Sequence, residues 1–190
     1  MVAMTATTGS FSFQHGRPFT VHDLEALPDD GYRYELIDGL LLVSPAPSTN
    51  HQIVVIELAA RLRERCPAEM RTFVAPFAVR PSATIELQPD VLVARKADLT
   101  ERDLPVAPLL VVEVLSPSTK LVDLNTKKAA YQRLGVPSYW VIDPIDPCLT
   151  VFELDGNDFQ YEKVAEIKGN KAYDATQPFP IRIVPAELLD

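Results

Sequence analysis

Residues 109–116 read LLVVEVLS, and this stretch decides the fold. Apolar side chains occupy both alternating sets of positions, so neither face can be left to water. That is the pattern of a central strand covered by other layers on both sides. Its one charge is Glu113. An unpaired carboxylate in such surroundings costs several kcal/mol or takes up a proton. The stable arrangements are a cation partner, as in a buried ion pair, or a bound metal ion.

Working outward, residues 122–134 carry helical apolar spacing, with Gly135 at the end and Pro137 just beyond. The aromatic and β-branched run 138–142 then predicts another strand. On the N-terminal side, strands are expected at 90–94 and near 71–79. A helix over 51–66 is capped by the Ser48-Thr49-Asn50 segment and ended by Pro67. Residues 34–43 predict a hairpin around Asp38-Gly39, and 19–27 a short helix with Thr20 as its N-cap. From Leu149 onward the chain reads as a meander (LTVFELDG, FQYEKV, and a strand at 181–184). Residues 1–17 hold little that packs and read as a flexible N-terminal tail, leaving 18–190 as a single domain. The class is α/β: a mixed central sheet flanked by helices, with a β-rich C-terminal extension.

The formal net charge is −8, which counts against an extended basic footprint for nucleic acid. A local stripe is still available, since Arg61, Arg63 and Arg65 share a helix and Arg95 and Lys96 follow a strand. Two cysteines supply neither a disulfide framework nor metal-ligand spacing. No signal-type N-terminus and no apolar run of ~20 residues is present, so the expectation is a cytoplasmic protein with no membrane contact. A nucleophile elbow, a phosphate-binding glycine loop and a dinucleotide fingerprint are all missing. The three histidines form no spaced pair, which argues against a zinc hydrolase.

Asp90 follows Pro89 at the start of VLVA. Alone it reads first as a solvated strand end, but it can meet Glu113 if their strands are neighbours. Two such carboxylates make an oxygen-rich site suited to Mg²⁺ or Mn²⁺. Lys127 is separated from Lys128 by helical geometry. With Leu124 at zero and each residue advancing about 100°, Lys127 falls at about 300°, between Leu134 and Tyr131 in the apolar stripe. Lys128 falls at about 40°, outside it. An inward lysine wants a carboxylate, a phosphate or a catalytic task; otherwise it snorkels along the helix. Glu35, in YELIDG, means little by itself, because an isolated strand glutamate is usually exposed. His51 shares a stripe with Val55, Leu58 and Leu62, and reads first as a satisfied core residue, with a ligand role as the alternative.

The segments QPDVLVARK, LLVVEVLSPST and DLNTKKAAYQRLGVPSYWVID, with YELIDGLLLVSPAPSTNHQ upstream, resemble the Uma-type family of restriction-endonuclease-like proteins. The resemblance spans residues 19–143. It implies the PD-(D/E)XK nuclease superfamily, with its restriction-endonuclease-like fold. Pro89-Asp90 would be the PD element, Glu113 the second acid and Glu35 an additional acid. The superfamily usually carries its lysine two residues after the second acid, where this chain has Leu115. The resemblance moves that role to Lys127 on the following helix. Tyr131, Trp140 and Asp143 also match family positions, the aromatics mainly as packing.

The implied function is a Mg²⁺- or Mn²⁺-dependent endonuclease with DNA as substrate. Asp90, Glu113 and Glu35 would be metal ligands, and Lys127 would stabilise developing negative charge. The alternative is a non-catalytic nucleic-acid-binding or assembly domain that keeps the fold. A β-rich C-terminal layer with open edges also suits a homodimer.

Overall fold

The computed structural model describes residues 17–189. The expected N-terminal tail therefore lies, apart from Arg17, outside the described residues. The stretch LLVVEVLS forms β8 (Leu110–Val114), flanked by β6 (Val91–Arg95) running antiparallel and β9 (Ser138–Asp143) running parallel. With β3 (Met70–Val74), β10 (Cys148–Leu154) and β11 (Tyr161–Lys168) they make a six-stranded sheet ordered β11-β10-β9-β8-β6-β3. Every residue of β8 is buried, as a strand without polar alternation requires.

The two faces of β8 are covered differently. Val112 and Val114 pack with Val54, Val55, Leu58 and Leu62 of α2 (Thr49–Arg65), and Trp140 of β9 joins the same cluster. Val111 faces the other way, into a cluster with Leu115, Tyr131, Tyr139 and Phe152. Full burial of each such aliphatic side chain contributes ~1.5–3 kcal/mol. Strand alternation puts Glu113 on the Val111 face, so its carboxylate enters the second cluster and not the α2 face.

A second sheet of five strands covers part of that face, ordered β2-β1-β5-β4-β7. Its strands are β1 (Arg33–Ile37), β2 (Leu40–Ser44), β4 (Ala78–Ser82), β5 (Ile85–Leu87) and β7 (Asp103–Leu104). Ile37 and Leu87 reach into the cluster around Tyr131. The continuous strand expected near 71–79 is instead β3 and β4, one in each sheet; Pro76, which has no N–H for a ladder, lies between them. In the C-terminal extension the strand expected at 181–184 is β13 (Ile181–Ile183), and it pairs antiparallel with a strand not expected from the sequence, β12 (Tyr173–Ala175). Among the described residues no helix is long and apolar enough to cross a membrane.

Helix boundaries follow from capping. Ser48 Oγ accepts from the His51 N–H at 3.3 Å and starts α2 two residues earlier than the apolar pattern alone suggests. Thr20 and Asp23 form a reciprocal cap that holds α1 to Val21–Glu25. The helix expected over 122–134 is not uniform. Val122–Lys127 is wound as a π-helix, and only Lys128–Leu134 is α-helical (α3). Lys127 still points inward and is buried, while Lys128 sets its ammonium 3.8 Å from the centroid of the Phe152 ring. Lys128 is thus half-buried against an aromatic face and not fully in solvent.

The hairpin turn carries positive φ at both central residues, Asp38 (52°) and Gly39 (79°), as the two-residue turn of a twisted hairpin demands. Gly135 (78°) closes α3 in the same conformation. A Cβ on Gly39 would collide with Pro18, whereas one on Gly135 would meet nothing. Gly135→Ala should therefore cost only the left-handed penalty, ~1–2 kcal/mol. Gly39→Ala should cost distinctly more in urea unfolding, because the clash adds to the same penalty. Equal losses would show that the contact between the hairpin turn and Pro18 carries no stability.

Candidate active site

The site is built where the two sheets and the helix after β8 converge. β8 supplies Glu113, β1 supplies Glu35, and the π-helix supplies Asp123 and Lys127; all four side chains are buried. Lys127 Nζ stands 2.9 Å from Glu35 Oε2 and 3.1 Å from Glu113 Oε1, with Asp123 Oδ1 at 4.0 Å. The Tyr131 hydroxyl donates to the same Glu113 Oε1 at 2.7 Å. The second oxygen of Glu35, Oε1, accepts from the Gln88 N–H at 2.8 Å. Thr119 Oγ1 donates to Asp123 Oδ2 at 2.7 Å, and the Tyr139 hydroxyl donates to the Asp123 carbonyl at 2.9 Å.

Asp90 anchors a second layer. Its Oδ2 accepts from the Val114 N–H at 2.8 Å, one residue beyond Glu113, so the acid is fixed to the strand that carries its neighbour. His51 Nε2 lies 3.0 Å from the same oxygen; against a carboxylate the ring nitrogen is the donor. Arg33 Nη1 donates to Asp90 Oδ1 at 3.0 Å and to the Gln88 carbonyl at 3.2 Å. The His51 Nδ1 atom is buried and has no hydrogen-bond partner among the described residues.

Four carboxyl groups (Glu35, Asp90, Glu113, Asp123) thus share two permanent cations, Arg33 and Lys127. Burial pushes the Glu113 carboxyl well above the usual range; Lys127 opposes the rise, and the charges of Asp90, Asp123 and Glu35 add to it. Burial likewise pushes Asp123 up to about 6 against the pull of Lys127. For Asp90 burial acts upward too, but the His51 hydrogen bond and the charges of Arg33, His51 and Lys127 outweigh it, so its carboxyl stays well below the usual range. Burial disfavours the Lys127 ammonium, yet Glu113, Glu35 and Asp123 more than compensate and hold it charged.

A cavity of about 160 Å³ opens onto Asp90, Glu113, Asp123 and Lys127 between two loops, residues 45–47 and 116–119. Among the described residues no three His, Cys, Asp or Glu side chains stand together as a ready ion cage. Lys127 separates Glu35 from Glu113, and Arg33 and His51 engage Asp90. The donor set nevertheless fits a hard divalent cation in kind. It offers carboxylate oxygens from adjoining elements, an excess of acids over cations, and a buried Glu35 Oε2 whose one close partner is the lysine.

The structure therefore groups Glu35, Glu113 and Lys127 directly and joins Asp90 to them through the Val114 amide. Glu35, which sequence pattern alone reads as exposed, has no solvent contact. His51, read from its stripe as a buried core residue, joins the same network through Asp90, and so do Arg33 and Asp123, which the sequence pattern does not single out. Signals for two of them existed: Arg33 and Glu35 share one face of a strand, and Asp123 precedes Lys127 by four residues. Tyr131, expected as packing, also hydrogen-bonds to Glu113.

A crystal structure from Anabaena variabilis ATCC 29413, described as a putative nuclease belonging to DUF820, superposes with a TM-score of 0.69 at 18% identity, covering 90% of this chain and 98% of that one. The likeness shows that the fold is restriction-endonuclease-like. No curated protein matches the chain. The family model described as "Uma2: Putative restriction endonuclease" matches residues 21–185, which takes in both sheets and every residue of the network. The chain belongs to the Uma2 putative restriction endonuclease family.

Proposed function

We propose that this chain is a divalent-metal-dependent endonuclease that hydrolyses phosphodiester bonds in DNA. The observation that carries the reading is the buried Lys127 ammonium, held between Glu35 and Glu113 at the floor of a cavity that Asp90 also lines. Asp90 and Glu113 would hold Mg²⁺ or Mn²⁺, with Glu35 completing the ligand set. When bound, such an ion polarises a phosphodiester oxygen and makes a coordinated water a stronger acid.

The remaining work belongs to the chain's own residues. Lys127 stays protonated among three acids and meets negative charge developing on the phosphate. The Tyr131 hydroxyl, donating to Glu113 Oε1, holds the rotamer of Glu113. His51 and the Val114 amide hold Asp90 in one orientation, which keeps its oxygens directed toward the neighbouring strand. Arg33 lines the cavity beside Asp90 and adds a positive charge for a phosphate oxygen.

Mn²⁺ should raise the melting temperature of the wild-type protein. An ion at ~100 times its dissociation constant stabilises by ~2.7 kcal/mol, which a thermal melt resolves. The shift should vanish in Glu113→Gln; an equal shift in both proteins would sink the ligand assignment.

Without metal, Glu113→Gln should unfold in urea within about 1 kcal/mol of wild type, because removing one charge from a cluster with more acids than cations relieves repulsion and offsets the weaker contact with Lys127. Lys127→Met should lose about 3–5 kcal/mol, since Glu35 and Glu113 then share a buried space with no cation. The reverse ranking would mark Glu113 as the structural half of the pair. In cleavage of plasmid DNA with Mn²⁺, Glu113→Gln should lose at least about two orders of magnitude in rate, and Lys128→Ala should change little. A wild-type protein that cuts neither DNA nor RNA would favour the non-catalytic reading.

A further inference from the structure

Arg33, Asp90 and His51 line the acid cavity on one side and a larger cleft of about 620 Å³ on the other. The larger cleft has no part in the chemistry described so far. Its walls include Tyr32, Ile56 and Val74, three large apolar side chains left exposed to solvent. Its floor holds Gln88, whose amide nitrogen donates to Glu86 Oε1 at 3.1 Å, and the Arg80–Glu86 pair at 2.7 Å. Around it stand four carboxylates (Glu25, Asp29, Glu86, Asp90) against two guanidinium groups. That balance repels phosphate and tolerates a neutral, flat, partly apolar group.

The acid network sets a matching constraint. Glu35, Glu113 and Lys127 have at most 2% of their surface exposed, and Glu113 and Lys127 line a narrow cavity. A base-paired duplex is a rigid rod whose groove alone is about 12 Å wide, so a cavity of 160 Å³ can take no more of it than one phosphate. At a net charge of −8 the chain as a whole repels a polyanion, which weakens the electrostatic attraction that duplex binding draws on. Stacking on an aromatic face needs no such charge and accepts any base. An unpaired nucleotide can also turn its base away from its phosphate and send the two into separate cavities.

We propose that the large cleft is a nucleobase subsite, in which an unpaired base stacks against Tyr32 while its phosphate enters the smaller cavity beside Lys127. The substrate is then a single-stranded or locally unpaired nucleic acid. This rests on the nuclease reading for the phosphate, but the base subsite can be tested without cleavage. Gln88 and Arg33 present polar groups to the edge of the base, and Ile56 closes the wall opposite on α2.

The test is fluorescence anisotropy of the wild-type protein in EDTA with a labelled single strand and with the blunt duplex of the same sequence. The single strand should bind at least about tenfold more tightly. Tyr32→Ala should weaken it about tenfold, Tyr32→Phe should retain it, and Ile56→Ser should weaken it as a second variant on an exposed site. Equal affinity for both substrates, or no loss in Tyr32→Ala, overturns the subsite. Tyr32-dependent binding without Mn²⁺-dependent cleavage would refute the nuclease reading and leave the subsite standing. Cleavage of the blunt duplex at the same rate by wild type and Tyr32→Ala would refute the subsite and leave the nuclease.

Discussion

The ammonium of Lys127 is the interaction on which the arrangement turns. It lies between carboxylates from different sheets, Glu35 on β1 and Glu113 on β8, and so ties the two layers together. Removing three charged groups from water costs several kcal/mol for each ion, and their mutual attraction returns this only with good geometry and further hydrogen bonds. Those bonds are present: Gln88 N–H on Glu35, and the Tyr131 hydroxyl on Glu113. Even so, one ammonium cannot neutralise two carboxylates and the nearby Asp123. Burial drives the Glu113 carboxyl upward, and the excess negative charge adds to the rise. A group of that kind is poorly explained as a device for stability alone, because a well-packed apolar cluster would hold the layers together at less cost.

The same excess links the site to its larger surroundings. Arg33 and His51 neutralise Asp90 from the side of the large cleft, and Lys127 neutralises Glu113 from the side of α3. The Val114 amide joins these two layers, a backbone donor that cannot move without disturbing the β8 ladder. Orientation of Asp90 is therefore inherited from the sheet, and the register β6–β8, which places Val91 opposite Val112, sets how far apart the two acids can be. A mutation deep in that register would act on the site as surely as one within it.

Much of this was legible because each signal had one physical cause. A lone charge in LLVVEVLS has to be partnered, and Asp38-Gly39 has to turn. What was not legible depended on partners distant in sequence. Glu35 reads as exposed because strand alternation says nothing of a second layer arriving on its face; here Lys127 of the π-helical turn meets it and links it to Glu113 of β8. The break between β3 and β4 is a topological choice between sheets, which local propensity does not express. His51 illustrates the limit in the other direction: the apolar stripe of α2 correctly predicts burial, but its hydrogen bond to Asp90 depends on a strand thirty-nine residues away. The family resemblance supplied what pattern could not, by naming Glu35 and Lys127 together.

The position of that lysine also has a physical explanation. A lysine two residues after Glu113 would share its strand face and enter the cluster of Val111, Tyr131 and Tyr139, where Leu115 now packs. The charge would sit amid aromatic rings, with the acids reached only along the strand. Coming from the following helix, Lys127 approaches Glu113 from above the sheet and meets Glu35 at the same time. Lys127 ends the π-helical turn Val122–Lys127, and insertions of that kind recur at functional sites. The constraint therefore falls on where the ammonium lies relative to the two acids. The element that delivers it is free to change, provided the vacated strand position can be filled by a side chain that belongs in the core.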